Sequence, residues 1–167
     1  MELEIKLFSY TDKALDGSTI PKESVEKYIN SDDWVKRKRT LSALGGITHK
    51  DRDTSDGMKV GKDDRVLVNS NSTHCIKDIF FKDEDDKFVY AIIKIFSEDQ
   101  FDDETAQKIK KLKALLRNGV KLPVSLVLDA YWDHAEVARE IISFRGCDWT
   151  LNPGFKGSEV TRILKDD

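Results

Sequence analysis

An α+β fold, with a mainly antiparallel sheet or a small β-barrel surrounded by helices, is what this 167-residue sequence predicts. Three observations predict it. Six or seven segments carry strand patterning and three or four carry helical patterning. The two kinds do not alternate as parallel βαβ units require. Two strand segments, 73–81 and 87–96, flank the acidic connection 82–86, which has the length and polarity of a hairpin turn.

The elements follow in order along the chain. Leu3, Ile5 and Leu7 share one face of a first strand. Residues 12–18 are a turn-rich loop, and Pro21 suits the first position of a helix, where its missing N–H costs nothing. Val25, Tyr28 and Ile29 form that helix's apolar stripe. A second helical stretch, 31–39, carries Trp34 and the basic cluster Lys36-Arg37-Lys38-Arg39, read as a solvated face. Residues 40–44 read as strand, Gly45-Gly46 as a bend, and 47–49 as the element after it. In 50–64 nine of fifteen residues are charged, which predicts a mobile loop beside the functional cleft.

Asp102 is the expected N-cap of the strongest helix, with acids in its first turn where the helix dipole favours them. Ala106, Ile109, Leu112, Leu115 and Leu116 make its apolar stripe, and Asn118-Gly119 ends it. Val124–Trp132 is apolar on both faces and reads as a buried strand. Residues 138–143 and 146–151 follow as two pieces of strand, Asn152-Pro153-Gly154 as a break, and 158–164 as a short terminal helix.

Composition bounds the function. Apolar residues make up 39% and charged residues 35%, values of a soluble chain with a core. The length suits one domain, 1–167. Twenty-eight lysines and arginines against 31 acids leave a net charge of −3, which gives no support to broad nucleic-acid or anionic-membrane binding. The first residues alternate charged and apolar, unlike a signal peptide, and no apolar run approaches the roughly 20 residues of a membrane span. Two cysteines, Cys75 and Cys147, make no disulfide scaffold, so an intracellular, reducing setting is expected.

Few residues offer chemistry. His49, His74, Cys75, His134 and Cys147 are the soft metal ligands, and none are spaced as a zinc site needs. Asp51, Asp53 and Asp56-Gly57 resemble a calcium loop only loosely, because the glycine and the final glutamate are out of register. Phosphate loops and a G-x-S-x-G elbow are absent. A nucleophilic serine needs a histidine to take its proton and a third group to orient that histidine. Ser125 is a lone hydroxyl in an apolar strand, and a core serine bonded to backbone is the ordinary explanation. His49 follows the Gly-Gly bend. Asp148 is a lone acid between Cys147 and Trp149, and a buried carboxylate there would want a cation, a histidine or strong donors.

At these residues the sequence resembles the prohead maturation proteases of tailed phages, above all the T-even type, a family related in fold to herpesvirus assemblins. Ala43-Leu44-Gly45-Gly46-Ile47-Thr48-His49 is similar to the family's A-L-G-x-x-x-H. The hairpin of Ile76-Lys77-Asp78-Ile79-Phe80-Phe81 with Val89-Tyr90-Ala91 follows in order. Next come the helix, Asn118-Gly119 and Val124-Ser125, where the family has helix, glycine and Gly-Val-Ser-Ser-Arg-Gly. Gly146-Cys147-Asp148-Trp149-Thr150-Leu151-Asn152-Pro153 resembles its V-D-x-V-T-x-P strand, and Ile20-Pro21-Lys22 its Y-P-K. The resemblance spans about residues 10–160. It implies a herpesvirus-protease-like fold and a serine endopeptidase with His49 as base, Ser125 as nucleophile and Asp148 as third member, Asp78 being the rival.

By the same resemblance the substrates are the phage's scaffold and major capsid precursors, cut within the prohead in the host cytoplasm, with self-processing and an inclination toward glutamate before the scissile bond. It implies no cofactor and is compatible with a homo-oligomer, while ligand spacing and net charge lead to the expectation of no metal, no nucleic acid and no membrane partner. The chain departs from the family after the nucleophile, where Leu126-Val127-Leu128 replaces Ser-Arg-Gly. Backbone N–H groups near Ser125, helped by Arg139 or Arg145, are the expected oxyanion donors. A relative without catalysis, serving as scaffold or capsid component, is the alternative this departure raises, and an unrelated α+β binding protein is the other.

Overall fold

The computed structural model describes residues 1–47, 72–83 and 86–167. The first strand, β1 (Glu2–Ser9), sits inside a five-stranded antiparallel sheet. Its neighbours are β4 (Phe88–Ile95) on one side and β7 (Val160–Lys165) on the other, and β4 continues through β3 (His74–Phe81) to β2 (Leu44–Gly45). Leu3, Ile5 and Leu7 are fully buried, as their spacing predicts. A bulge between Lys6 and Phe8 lets Phe8 turn inward as well. A second antiparallel pair, β5 (Val124–Trp132) with β6 (Ala138–Trp149), completes the strands.

The two sheets meet at both edges. At one seam Pro123 bridges Glu159, flanked by hydrogen bonds from Val124 N to Ser158 O and from Val160 N to Leu122 O, each 3.0 Å. At the other, Ile47 bridges Trp149 and the Trp149 N–H donates to Gly46 O at 3.0 Å. The ring β1-β4-β3-β2-β6-β5-β7 is thereby closed into a small barrel, and one apolar cluster fills it and continues beneath the helices.

Three α-helices lie against this frame among the described residues. In α1 (Lys22–Ile29), Ser24 Oγ donates to Ala138 O at 2.7 Å, and Tyr28 OH accepts from Phe144 N at 2.9 Å, so the helix is bolted to β6. Tyr28 OH in turn donates to Asp33 Oδ2 at 2.7 Å, in α2 (Asp32–Thr40), whose N-cap is Ser31. Asp102 caps α3 (Asp103–Arg117) by accepting from Thr105 N at 2.8 Å, and Ile109, Leu112 and Leu116 are buried. Leu115 and Ala106 of the expected stripe are not fully buried, while Thr105 and the stem of Lys113 are.

Several expectations differ from the structure. Residues 40–44 are not one strand: α2 runs through Thr40 and stops at Leu41, whose φ of 52° places it in the left-handed region. The basic cluster is not a uniformly solvated face, because Arg37 is buried and donates to Asp33 Oδ2 at 3.1 Å. Residues 138–149 are one continuous strand. Gly146, with φ 145°, carries it through the bulge opposite Val127 and Leu128, a conformation L side chains seldom adopt. Strand β5 is not buried on both faces; only Val124 and Val127 are, because no described strand pairs with its outer edge beyond the Val124 seam. The terminal segment is a strand, not a helix. Its β-branched Val160, Thr161 and Ile163 fit a pleated surface, and the open edge of β1 needs their backbone groups.

Glu4 ties the β1–β7 pair. Its Oε1 accepts from Lys82 Nζ at 2.6 Å and Thr161 Oγ1 at 2.8 Å, and its Oε2 from Arg162 at 3.1 Å. Burial opposes its ionisation, but these donors outweigh it and hold the carboxyl below its ordinary value of 4.5. A depressed folded value means the stabilisation is complete above the ordinary value and is lost as pH falls through the lower one. Glu4→Gln is expected to lower stability at neutral pH by about 1–3 kcal/mol. It should also flatten the acid limb of a stability–pH profile measured by urea unfolding.

Candidate active site

The site forms where β5 and β6 begin their pairing. Val124 and Leu126 stand opposite Trp149 and Cys147, and the side chains of that set belong to the apolar core. Strand alternation sends Ser125 and Asp148 to the opposite face of the ribbon. They are direct register partners. Partners of this kind hold their Cβ atoms about 4.5–5.5 Å apart.

Asp148 is fully buried, and its Oδ1 accepts from the Gly46 N–H at 3.0 Å. That bond exists because β2 presses against β6. A Cβ on Gly45 would lie 1.8 Å from Cys147 O and 2.5 Å from His74 Nε2, so only glycine fits there. Sequence reading took Gly45-Gly46 for a bend. The pair instead supplies a close approach, and the donor it gives Asp148 is a functional group the sequence did not reveal.

Ser125 is half-buried and borders a cleft of about 340 Å³. Leu15, Ile20, Leu128, Trp132 and Phe155 give the cleft an apolar lining, and Asp16 stands on its wall. Gly154 also lines it. A Cβ on Gly154 would lie 3.9 Å from Ser125 Oγ, which places the hydroxyl beside the loop after β6. This serine faces a cleft, unlike the core serine that its apolar neighbours suggest.

The other candidates go elsewhere. His74 opens β3 in full burial: Nε2 pairs with Cys147 O at 2.7 Å and Nδ1 with Thr73 Oγ1 at 2.8 Å. Cys147 Sγ lies 3.8 Å from the same Nε2, but both residues are closed to solvent, so no substrate reaches that Cys–His pair. Asp78 sits at a bulge in β3, accepts from Ile79 N at 2.9 Å and pairs with Lys38 at 3.0 Å. Between β3 and β5 the ring places β2 and β6, so Asp148 rather than Asp78 stands opposite Ser125. His134 is exposed in the β5–β6 turn. Arg145 pairs with Asp129 of β5, and Arg139 donates to Asp133 Oδ2 at 2.6 Å in that turn. His49, the 50–64 loop and the calcium-like aspartates lie outside the described residues. Among the described residues no three metal-ligating side chains gather.

No protein-family model matches the chain, and no curated protein does. Among solved structures the chain is similar to the bacteriophage T4 capsid assembly protease, gp21. That match has a TM-score of 0.45 and 19% sequence identity, and it covers 97% of this chain and 82% of the other.

Both cysteines are buried, and burial pushes the Cys75 thiol up to about 11. The thiolate is the reactive form, so little of Cys75 is reactive at neutral pH. An aromatic disulfide reagent is expected to leave both thiols unmodified in the native protein. Both should react promptly in denaturant, as followed by absorbance.

Proposed function

We propose that this chain is a serine endopeptidase of the prohead-maturation kind, in which Ser125 is the nucleophile, His49 the general base and Asp148 the residue that orients the base. The observation that carries the reading is the direct pairing of Ser125 with Asp148 across β5 and β6, beside an open cleft. A free serine hydroxyl is a weak nucleophile, and a histidine that removes its proton during attack makes it an effective one. The resulting imidazolium needs a fixed negative partner, which a buried carboxylate provides. Asp148 is held for that task by the Gly46 N–H.

Ile47 bridges Trp149, the residue after Asp148, and His49 follows Ile47 by two positions in sequence. Among the three histidines, His74 is closed off in the core and His134 stands in the turn at the far end of the β5–β6 pair. His49 is therefore the base this reading assigns. The substrates assigned by the motif resemblance are the phage's own scaffold and major capsid precursors, with self-cleavage, inside the prohead.

A second reading has one observation in its favour. Leu126-Val127-Leu128 follows Ser125, and of the two arginines expected as oxyanion donors Arg145 is paired with Asp129 and Arg139 with Asp133 in the far turn. On that reading the chain is an inactive relative that acts as scaffold or capsid component.

Co-expression with the neighbouring capsid and scaffold genes, read by intact mass, separates the two. Ser125→Ala and His49→Ala are each expected to abolish trimming while thermal unfolding stays near that of the parent. Asp148→Asn should leave a trace of activity, reduced by about 10⁴-fold. A serine-directed fluorophosphonate should add one adduct, at Ser125. Trimming at full rate in the Ser125→Ala, His49→Ala double variant would overturn the protease reading.

A further inference from the structure

We infer that His74 is a positioning residue for Asp148, an inference that rests on the protease reading above. The segment Cys147-Asp148-Trp149 is gripped on both flanks by groups from the start of β3. At one flank His74 Nε2 meets Cys147 O at 2.7 Å. At the other, Trp149 Nε1 donates to Thr73 Oγ1 at 3.2 Å, and the His74 and Trp149 rings lie 4.9 Å apart. Between them Gly46 holds the carboxylate.

The tautomer of the ring follows from the partners of its two nitrogens. A carbonyl oxygen only accepts, so Nε2 carries the hydrogen. Nδ1 of the neutral ring is then the acceptor, and it takes the Thr73 hydroxyl proton across 2.8 Å. Thr73 Oγ1 in turn accepts from the indole. A doubly protonated ring would aim Nδ1–H and the indole N–H at the same oxygen and leave the hydroxyl proton without this acceptor. The neutral Nε2–H tautomer fits, and it makes one rigid path from Trp149 through Thr73 and His74 to Cys147.

Asp148 is the middle residue of the span this path closes, and Gly45, with no room for a Cβ between Cys147 O and His74, seats the β2 backbone against it. The imidazole of His74 never meets substrate. It sets where the Asp148 carboxylate stands relative to Ser125.

The test uses the full chain and a fluorophosphonate probe, with inactivation rate and probe affinity measured separately, plus amide exchange at Gly46 by NMR. His74→Phe keeps the ring packing and removes both hydrogen bonds. It is expected to slow adduct formation at Ser125 about 100-fold, with probe affinity unchanged. Gly46 exchange should quicken. His74→Gln can still donate to Cys147 O and should recover to within about tenfold of the parent. Should His74→Phe fail to fold, Thr73→Val carries the test, with an expected loss of about tenfold. A folded His74→Phe that labels at the parent rate, or one in which Gly46 exchange does not change, overturns the inference. If the parent protein takes no label, the protease reading fails, and the Gly46 exchange of His74→Phe alone decides whether the brace holds Asp148.

Discussion

The approach of β2 to β6 is the constraint on which the rest depends. At that seam a glycine backbone lies so near Cys147 O that no Cβ can be inserted at position 45. The contact closes the barrel on one side, through the Ile47–Trp149 bridge and the Trp149 N–H to Gly46 O bond. It also delivers a backbone N–H to a fully buried carboxylate. Fold closure and the electrostatics of Asp148 are thus one event. A bulkier residue at 45 would open the seam and remove the donor together.

The opposite seam does comparable work for the serine. Pro123 has no N–H to give, but its carbonyl accepts from Thr150 N, and its neighbour Val124 donates to Ser158 O. The start of β5 is therefore held on both edges just before Ser125. Beyond it the outer edge is open to the cleft. The serine stands at the last point where the strand is locked on two sides, which gives it both a fixed position and access to solvent. Active groups placed on strands are positioned more narrowly than groups on loops, because the ladder sets their spacing.

Much of this was legible in the sequence, for reasons specific to each element. The hairpin 73–96 and the α3 helix obey strong local rules, with β-branched and aromatic runs about an acidic turn and an acidic N-cap before a 3.6-residue stripe. Ser125 and Asp148 stood out because each is a lone polar residue in apolar surroundings, and the structure sets them opposite one another. What was not legible is nonlocal. Nothing near residues 158–164 announces that the edge of β1 awaits a partner, and a short segment with Arg162, Leu164 and Lys165 reads equally well as helix. Nor can a sequence show that Gly45 is glycine because a carbonyl from residue 147 occupies the place of its side chain. The burial of Arg37 follows the same pattern: its partner, Asp33, is one turn away, but the wall that covers the guanidinium is made by distant strands.

Burial sets apart two candidate nucleophiles: Cys147, which lies beside His74, and Ser125, which the proposed function pairs with His49. Cys147 Sγ and His74 Nε2 lie 3.8 Å apart, yet both residues are sealed in the core. The thiol there has no route to a substrate, and the imidazole is already committed at both nitrogens, to a backbone carbonyl and a hydroxyl. Ser125 has the weaker intrinsic nucleophile, but it opens on a cleft and faces a buried acid. The two sets are not independent. Cys147 and Asp148 are consecutive, so strand alternation must send one to the core when it sends the other to the Ser125 face. The inert pair on the inner face is thereby the mechanical support of the polar pair on the outer one.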